Sequence, residues 1–282
     1  MAPFARCEGG TPANGGDYER ASDPWVSFGP DGSVYQIALA ADAPETGQAV
    51  TAILVSKSTD GGTTWGTPVT LIRDQQPDGF DDKESITADP TDARYVYAVW
   101  DRLTSPAPGA GQGPPAPQAA AAVMLSRSTD GGVTWEAPRV IYDPLNLPSN
   151  ESLTADQRLV AGETTGNIVA VLPNGDLVDV FALTHVVSAG AGAPSAPAHE
   201  IAAIRSTDKG ATWSDPVRVS VELTGQEPGG ALDPYTGEPL RTGGLLPAIA
   251  VDRQSGQIYV AWQDARFSRT RQPGIAMATS TD

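Results

Sequence analysis

Residues 58–65 read Ser-Thr-Asp-Gly-Gly-Thr-Thr-Trp, and the pattern Ser-Thr-Asp-x-Gly-x-Thr-Trp returns at 128–135 and 206–213. Ser280, Thr281 and Asp282 open a fourth copy, so successive serines lie 70, 78 and 74 residues apart. Repetition at a near-fixed period constrains a fold strongly, because each copy marks one unit that stacks on its neighbours. An apolar or alternating run precedes each copy, at 50–55, 121–125, 200–204 and 274–278, and strand-like stretches follow the complete ones at 68–72, 138–142 and 216–220. Strand, tight turn, strand is a hairpin. Within the turn, Ser and Asp side chains can bond the turn's own amides. The second glycine (Gly62, Gly132, Gly210) supplies a positive φ, and the Trp offers a large apolar face to cover the hairpin base. Lys209 replaces the first glycine of the third copy, which reads as a less constrained position.

A second repeat lies upstream. Residues 24–40 align without gaps to 167–183 around Pro-Asp-Gly and Pro-Asn-Gly turns, and 85–100 match 248–262 up to Trp100 and Trp262. Each unit is therefore two hairpins, or four antiparallel strands, and such units in series are propeller blades. The expected class is all-β: a β-propeller with blades at 23–73, 83–142, 166–220 and 246–282, the last cut before its fourth strand. Residues 1–17 read as the tail of a preceding blade. Propellers close with about four to eight blades, so the expectation is one partial propeller, a piece of a six- or seven-bladed ring.

Composition narrows the function. With Gly 30 and Pro 25 in 282 residues, turns and short strands are favoured over helices. No apolar run is long enough for a membrane span, and residues 1–10 show no secretory signal core. The net charge of −16 excludes non-specific nucleic-acid binding. One cysteine (Cys7) and two histidines (His185, His199) give neither an internal disulfide nor a zinc-ligand pattern. No cofactor and no metal site is indicated, although loop-face carboxylates could hold calcium. Of the 18 basic residues, 15 are Arg, the side chain suited to bidentate carboxylate recognition, but GC-rich coding gives the same skew.

The boxes resemble those of bacterial sialidase and neuraminidase propellers, the Asp-box (BNR repeat) family, and the resemblance covers nearly the whole chain. It implies that the boxes are structural clasps between strands three and four, remote from the active site. The ligand face is then built by the opposite connections. These are the links at 40–48, 103–118, 188–199 and 264–273 and those at 73–85, 143–165 and 221–244. Two of them, at 105–122 and 189–198, are rich in Ala, Pro and Gly and read as solvated loops. The resemblance further implies a secreted or extracellular protein whose partner is a glycan or acidic sugar.

Family sialidases hold the substrate carboxylate with three Arg and use a Tyr–Glu nucleophile with an Asp acid/base, unlike the usual two-carboxylate scheme. Their first Arg opens an inner strand in an Arg-Ile-Pro-like motif, which this sequence lacks. By blade position, the candidate catalytic residues are Asp23, Glu84 and Asp101, and the candidate substrate-binding residues are Arg20, Arg102, Asp264 and Arg266. Asp101-Arg102 follows Trp100 as Asp264-Ala265-Arg266 follows Trp262 at one residue's remove. These groups either line a channel mouth that reads an acidic sugar or tie strand ends to neighbours. Arg266, Arg269 and Arg271 form the densest basic cluster, and His185 reads as structural. Two functions stand: a sialidase-like glycoside hydrolase acting on acidic sugars, and a non-catalytic propeller binding glycans or proteins. A polysaccharide lyase is a third.

Overall fold

The computed structural model describes residues 2–43, 49–75, 79–104, 119–146, 153–154, 157–189, 196–223, 233, 235–238, 244, 246–269 and 273–281. The described residues form antiparallel four-stranded units in the expected order. The first blade is β1 (Arg20–Phe28), β2 (Val34–Asp42), β3 (Val50–Ser58) and β4 (Val69–Gln75). The second is β5 (Phe80–Ala88), β6 (Val96–Thr104), β7 (Ala119–Ser128) and β8 (Arg139–Tyr142). The third is β9 (Gln157–Val171), β10 (Leu177–Ala189), β11 (Ala196–Ser206) and β12 (Val217–Val221). The fourth holds three strands, β13 (Ala248–Val251), β14 (Ile258–Asp264) and β15 (Gly274–Ser280).

Alternation along each strand sends successive side chains to opposite faces, so the second and third blades each pack on two neighbours. From β2, Tyr35, Ile37 and Leu39 meet Ile86 of β5 and Ala98 and Trp100 of β6. The opposite face of β6 sends Tyr97 and Val99 toward Val169 and Leu177 of the third blade. The third and fourth blades meet through Val178, Val180, Ile258, Val260 and Trp262. On the outer face of the first blade, Ala38, Ala40, Ala52 and Leu54 are covered by Ala2, Phe4 and Tyr18.

The four inner strands lie side by side in the order β1, β5, β9, β13, and the first three are cross-linked through hydroxyls. Ala88 N–H donates to Ser27 Oγ at 2.9 Å, Ser85 Oγ donates to Asn167 O at 2.8 Å, and Thr87 Oγ1 donates to Val169 O at 2.8 Å. Backbone groups that a lone four-stranded blade would leave at its inner edge are thus partly satisfied by the next blade.

The motif turns are built alike. In the second copy Ser128 Oγ donates to Asp130 Oδ1 at 2.9 Å and accepts from Gly132 N–H at 2.8 Å, while Asp130 accepts from Thr134 N–H at 2.8 Å and Thr134 Oγ1 at 2.6 Å. These donors, the Thr hydroxyl foremost, hold the Asp60, Asp130 and Asp208 carboxyls down at about 2. Position four is more constrained than its Gly-to-Lys exchange suggests, for Lys209 is left-handed at φ 58°, beside Gly61 at 72° and Gly131 at 70°. The Trp also does more than cover its own hairpin. Trp135 packs into the interface between the first and second blades, and Trp213 into that between the second and third.

Two connections are shorter than the sequence pattern predicts. β9 starts at Gln157, not near 166, because its first residues form a parallel pairing of Ala161, Gly162 and Glu163 with Ala119, Ala120 and Ala121 of β7. The expected loop at 188–199 is strand at both ends, at 188–189 and 196–199, with Val187 paired to Ala196. Of the expected loop at 105–122, the last four residues belong to β7 and 105–118 lie outside the described residues, as do residues 190–195, most of 221–244, Arg271 and Asp282.

Candidate functional site

The first three inner strands share one irregularity. β1 has a bulge between Ser22 and Trp25, β5 one between Asp82 and Ser85, and β9 a register shift across Gly166, where Ala182 pairs Thr165 and Val180 pairs Ile168. At the same place in each bulge a residue turns left-handed: Asp23 at φ 53°, Lys83 at φ 55° and Gly166 at φ 74°. Glycine enters this region freely. An Asp or Lys held there costs on the order of 1–3 kcal/mol, and bulges of this kind re-aim side chains next to functional sites. Among the described residues, Lys209 is the one other non-glycine with positive φ.

These bulges line a cavity of about 430 Å³ whose walls come from all four inner strands and their entries. Asp23, Pro24 and Trp25 stand on one side, Lys83, Glu84 and Ser85 next, then Gly166, Asn167 and Ile168, and finally Leu246, Pro247 and Ala248. The Asp23 side chain is 49% exposed, and its Oδ2 lies 3.6 Å from Lys83 Nζ. Lys83 also donates to Asp82 at 3.1 Å. Burial works against the Lys83 charge, but Asp82 and Asp23 outweigh it and raise its pKa. Glu84 is buried; the backbone amides of Glu84 itself and Leu39 are the polar groups that face its carboxyl, and neither meets full hydrogen-bond geometry. Burial pushes its pKa up to about 8, so it carries a proton at neutral pH. Arg20 sits exposed at the start of β1, opposite Ala41.

The other sequence-nominated residues lie between blades. Asp101 is buried and accepts from Thr164 Oγ1 at 2.6 Å, Gly166 N–H at 2.8 Å and Asn167 Nδ2 at 2.6 Å, all in the third blade. Burial raises its pKa to about 7 against those three donors. Arg102 reaches back to Asp74 of β4 and to Asp81 of β5, which also accepts from Trp100 Nε1 at 2.8 Å. Asp264 accepts from Trp262 Nε1 at 3.0 Å and Arg266 Nε at 2.8 Å. Its burial is outweighed by these donors, and its pKa falls well below the usual carboxylate range. Arg266 continues to Ser220 Oγ at 2.9 Å and to the Val221 carbonyl of β12. Both Asp–Arg groupings thus tie a blade to the fourth strand of the one before it. His185 Nε2 lies 3.0 Å from the Pro144 carbonyl.

The structure therefore brings Asp23 and Glu84 to one cavity and places Asp101, Arg102, Asp264 and Arg266 in blade contacts. Sequence reasoning missed Lys83 and Asp82. Their signal is the extra residue in β5, visible when 82–85 is set against 22–25 and 165–168.

No protein-family model matches the chain, and no curated protein matches it. Among solved structures it is similar to the GH93 alpha-L-arabinofuranosidase of Fusarium graminearum in complex with arabinobiose, at 12% identity and a TM-score of 0.50, covering 93% of this chain and 63% of that one. It is also similar to a protein of unknown function from Dyadobacter fermentans (13% identity, TM-score 0.46, 94% of this chain and 66% of that one). A third likeness is to the NanB sialidase of Streptococcus pneumoniae (12% identity, TM-score 0.39, 94% of this chain and 68% of that one). The chain thus spans less than two thirds of the length of the arabinofuranosidase. At such identities a likeness speaks to architecture alone, and with the four-stranded antiparallel units it makes the fold a β-propeller.

Proposed function

We propose that this chain is an Asp-box propeller that acts on glycans as a glycoside hydrolase, with its site at the cavity where the inner strands begin. The observation that carries the reading is Asp23, a half-exposed carboxylate on a strained bulge beside Lys83, at a cavity shared by four blades. Strain at a cavity wall marks a side chain placed for function and not for packing. Asp23 is the reactive carboxylate and Lys83 holds it in place, while Arg20, three residues earlier on β1, is not among the residues that line the cavity. Glu84 keeps its proton behind them and so adds no negative charge beside Asp23.

The charge balance favours a neutral sugar over an acidic one. Among the described lining residues Lys83 is the one cation, and it already faces Asp23 and Asp82. A bound sugar carboxylate would need unspent Arg or Lys, and Arg102 and Arg266 are taken up between blades. The arabinobiose held by the arabinofuranosidase of the same fold is consistent with a neutral substrate. A glycan-binding propeller without turnover is the second reading, favoured by the covered carboxyl of Glu84.

Hydrolysis of fluorogenic aryl glycosides, neutral pentosides and hexosides beside a sialoside, tests this with Asp23→Asn and Lys83→Ala. The expected result is turnover of a neutral glycoside that falls by about 100-fold or more in Asp23→Asn. Glycan binding lost in both variants, with no turnover by the parent, supports the second reading. Turnover or binding unchanged in both variants rejects the site.

A further inference from the structure

Tryptophan is spent unevenly along the chain. Trp65, Trp100, Trp135, Trp213 and Trp262 pack into the apolar clusters that hold the blades together. Trp25 is the sixth, and it is 40% exposed. It is the first residue after the bulge of β1, where β5 has Ser85 and β9 has Ile168. The sequence repeat aligns Ala248 of β13 with Ser85. All four residues line the cavity that holds Asp23 and Lys83. One blade thus presents an indole where the other three present a hydroxyl, an aliphatic chain and a methyl group.

Trp25 pairs across strands with Ile37, whose side chain meets Ile86 and Trp100 of the second blade. Directly paired residues share a face, so the indole looks toward the second blade, and the space in front of it is the cavity itself. The rest of the wall offers a ligand few polar partners. Ser85 Oγ is taken up by the Asn167 carbonyl at 2.8 Å and Asn167 Nδ2 by Asp101 at 2.6 Å, while Ile168, Leu246 and Pro247 are apolar. A site with so few convergent polar groups draws its affinity from apolar contact. The face of an indole is electron-rich, so it suits a ring that turns several C–H bonds to one side.

We infer that Trp25 is the stacking platform of this site: the C–H face of a neutral pyranose or furanose ring lies on the indole, which holds the ring beside Asp23, two residues earlier on the same wall. This rests on the glycan reading of the cavity and adds the residue and the ring face by which the sugar is recognised. Trp25 binds and orients the sugar and takes no part in proton transfer.

Trp25→Ala, Trp25→Leu and Trp25→Phe are to be compared with the parent on the neutral aryl glycoside that the parent turns over best. Leu keeps apolar bulk but removes the π-face, so a mere packing role would tolerate it. The expected result is a KM raised about tenfold in Ala and Leu, with kcat held within about threefold and KM largely recovered in Phe. A KM in Trp25→Leu equal to that of the parent overturns the platform and leaves the hydrolase reading standing. Titration with cellobiose and xylobiose, read by intrinsic fluorescence and by calorimetry, separates the two ideas where no glycoside is turned over. Saturable binding whose fluorescence change disappears in Trp25→Phe, with the calorimetric signal retained, sustains the platform while hydrolysis fails. The same fluorescence change in Trp25→Phe, or no binding of either disaccharide, overturns it.

Discussion

Replacing Glu84 by Gln should stabilise the protein at neutral pH and leave it nearly unchanged in acid. Burial raises the Glu84 pKa from 4.5 to about 8, so the folded state holds a proton that the unfolded chain releases. Folded stability from this group is fully present below pH 4.5 and is lost as pH rises toward 8, with a slope of about 1.4 kcal/mol per pH unit inside that window. By pH 7 the loss is roughly 3 kcal/mol. Gln has nearly the shape of the protonated acid and does not titrate. Denaturant unfolding of both proteins from pH 4 to 8, with m held common, measures the difference. The two should agree within about 1 kcal/mol near pH 4 and diverge to roughly 3 kcal/mol at pH 7, Gln the more stable. Burial also raises Asp81 and Asp101 to about 7, a pH dependence that both proteins share, so subtraction of the two curves isolates Glu84. A difference that does not change with pH would refute the account of Glu84 as a buried, protonated carboxyl.

Asp23→Gly should stabilise the fold by about 1 kcal/mol, since glycine relieves the left-handed strain, while glycoside turnover is lost; calorimetry and the aryl-glycoside assay read the two effects. Trp213→Ala should cost about 2–3 kcal/mol by opening the second interface, seen as a lowered denaturant midpoint. Asp130→Ala removes the acceptor for Thr134 N–H and Thr134 Oγ1 and should cost about 1–2 kcal/mol, read in the same unfolding experiment with glycan turnover retained. Arg266→Ala should lower the Tm with little change in glycoside KM, because its contacts are to Asp264 and β12; a selective rise in KM would return Arg266 to the substrate site.

The repeat made the blade plan legible because a turn that must close with Ser, Asp, Gly and Thr at fixed offsets leaves a direct trace in sequence. Strand alternation marked the faces for the same reason: every second residue has to be apolar where a blade packs. The pairing of β9 with β7 left no such trace. Ala119, Ala120 and Ala121 and their partners carry little side-chain pattern, and parallel pairing between blades is decided by backbone geometry.

The site was legible in part. Blade position alone took in both ends of the inner strands' neighbourhood, and so gathered residues of two kinds. Asp101, Arg102, Asp264 and Arg266 follow the Trp on the second strand of a blade, where a side chain meets the adjacent blade, and their charges are matched there by Thr164, Asp74, Leu223 N–H and Ser220. Asp23 and Lys83 stand on inner-strand bulges, where one added residue turns the backbone left-handed and aims a polar side chain at the cavity. Charge and spacing look alike in the two settings; the distinguishing quantity is φ. A sequence reports φ only through glycine, and at this position glycine occurs in the third blade alone, as Gly166. The strained Asp and Lys in the first two blades are therefore where local preference and fold disagree, and that disagreement is what singles them out as candidates for function.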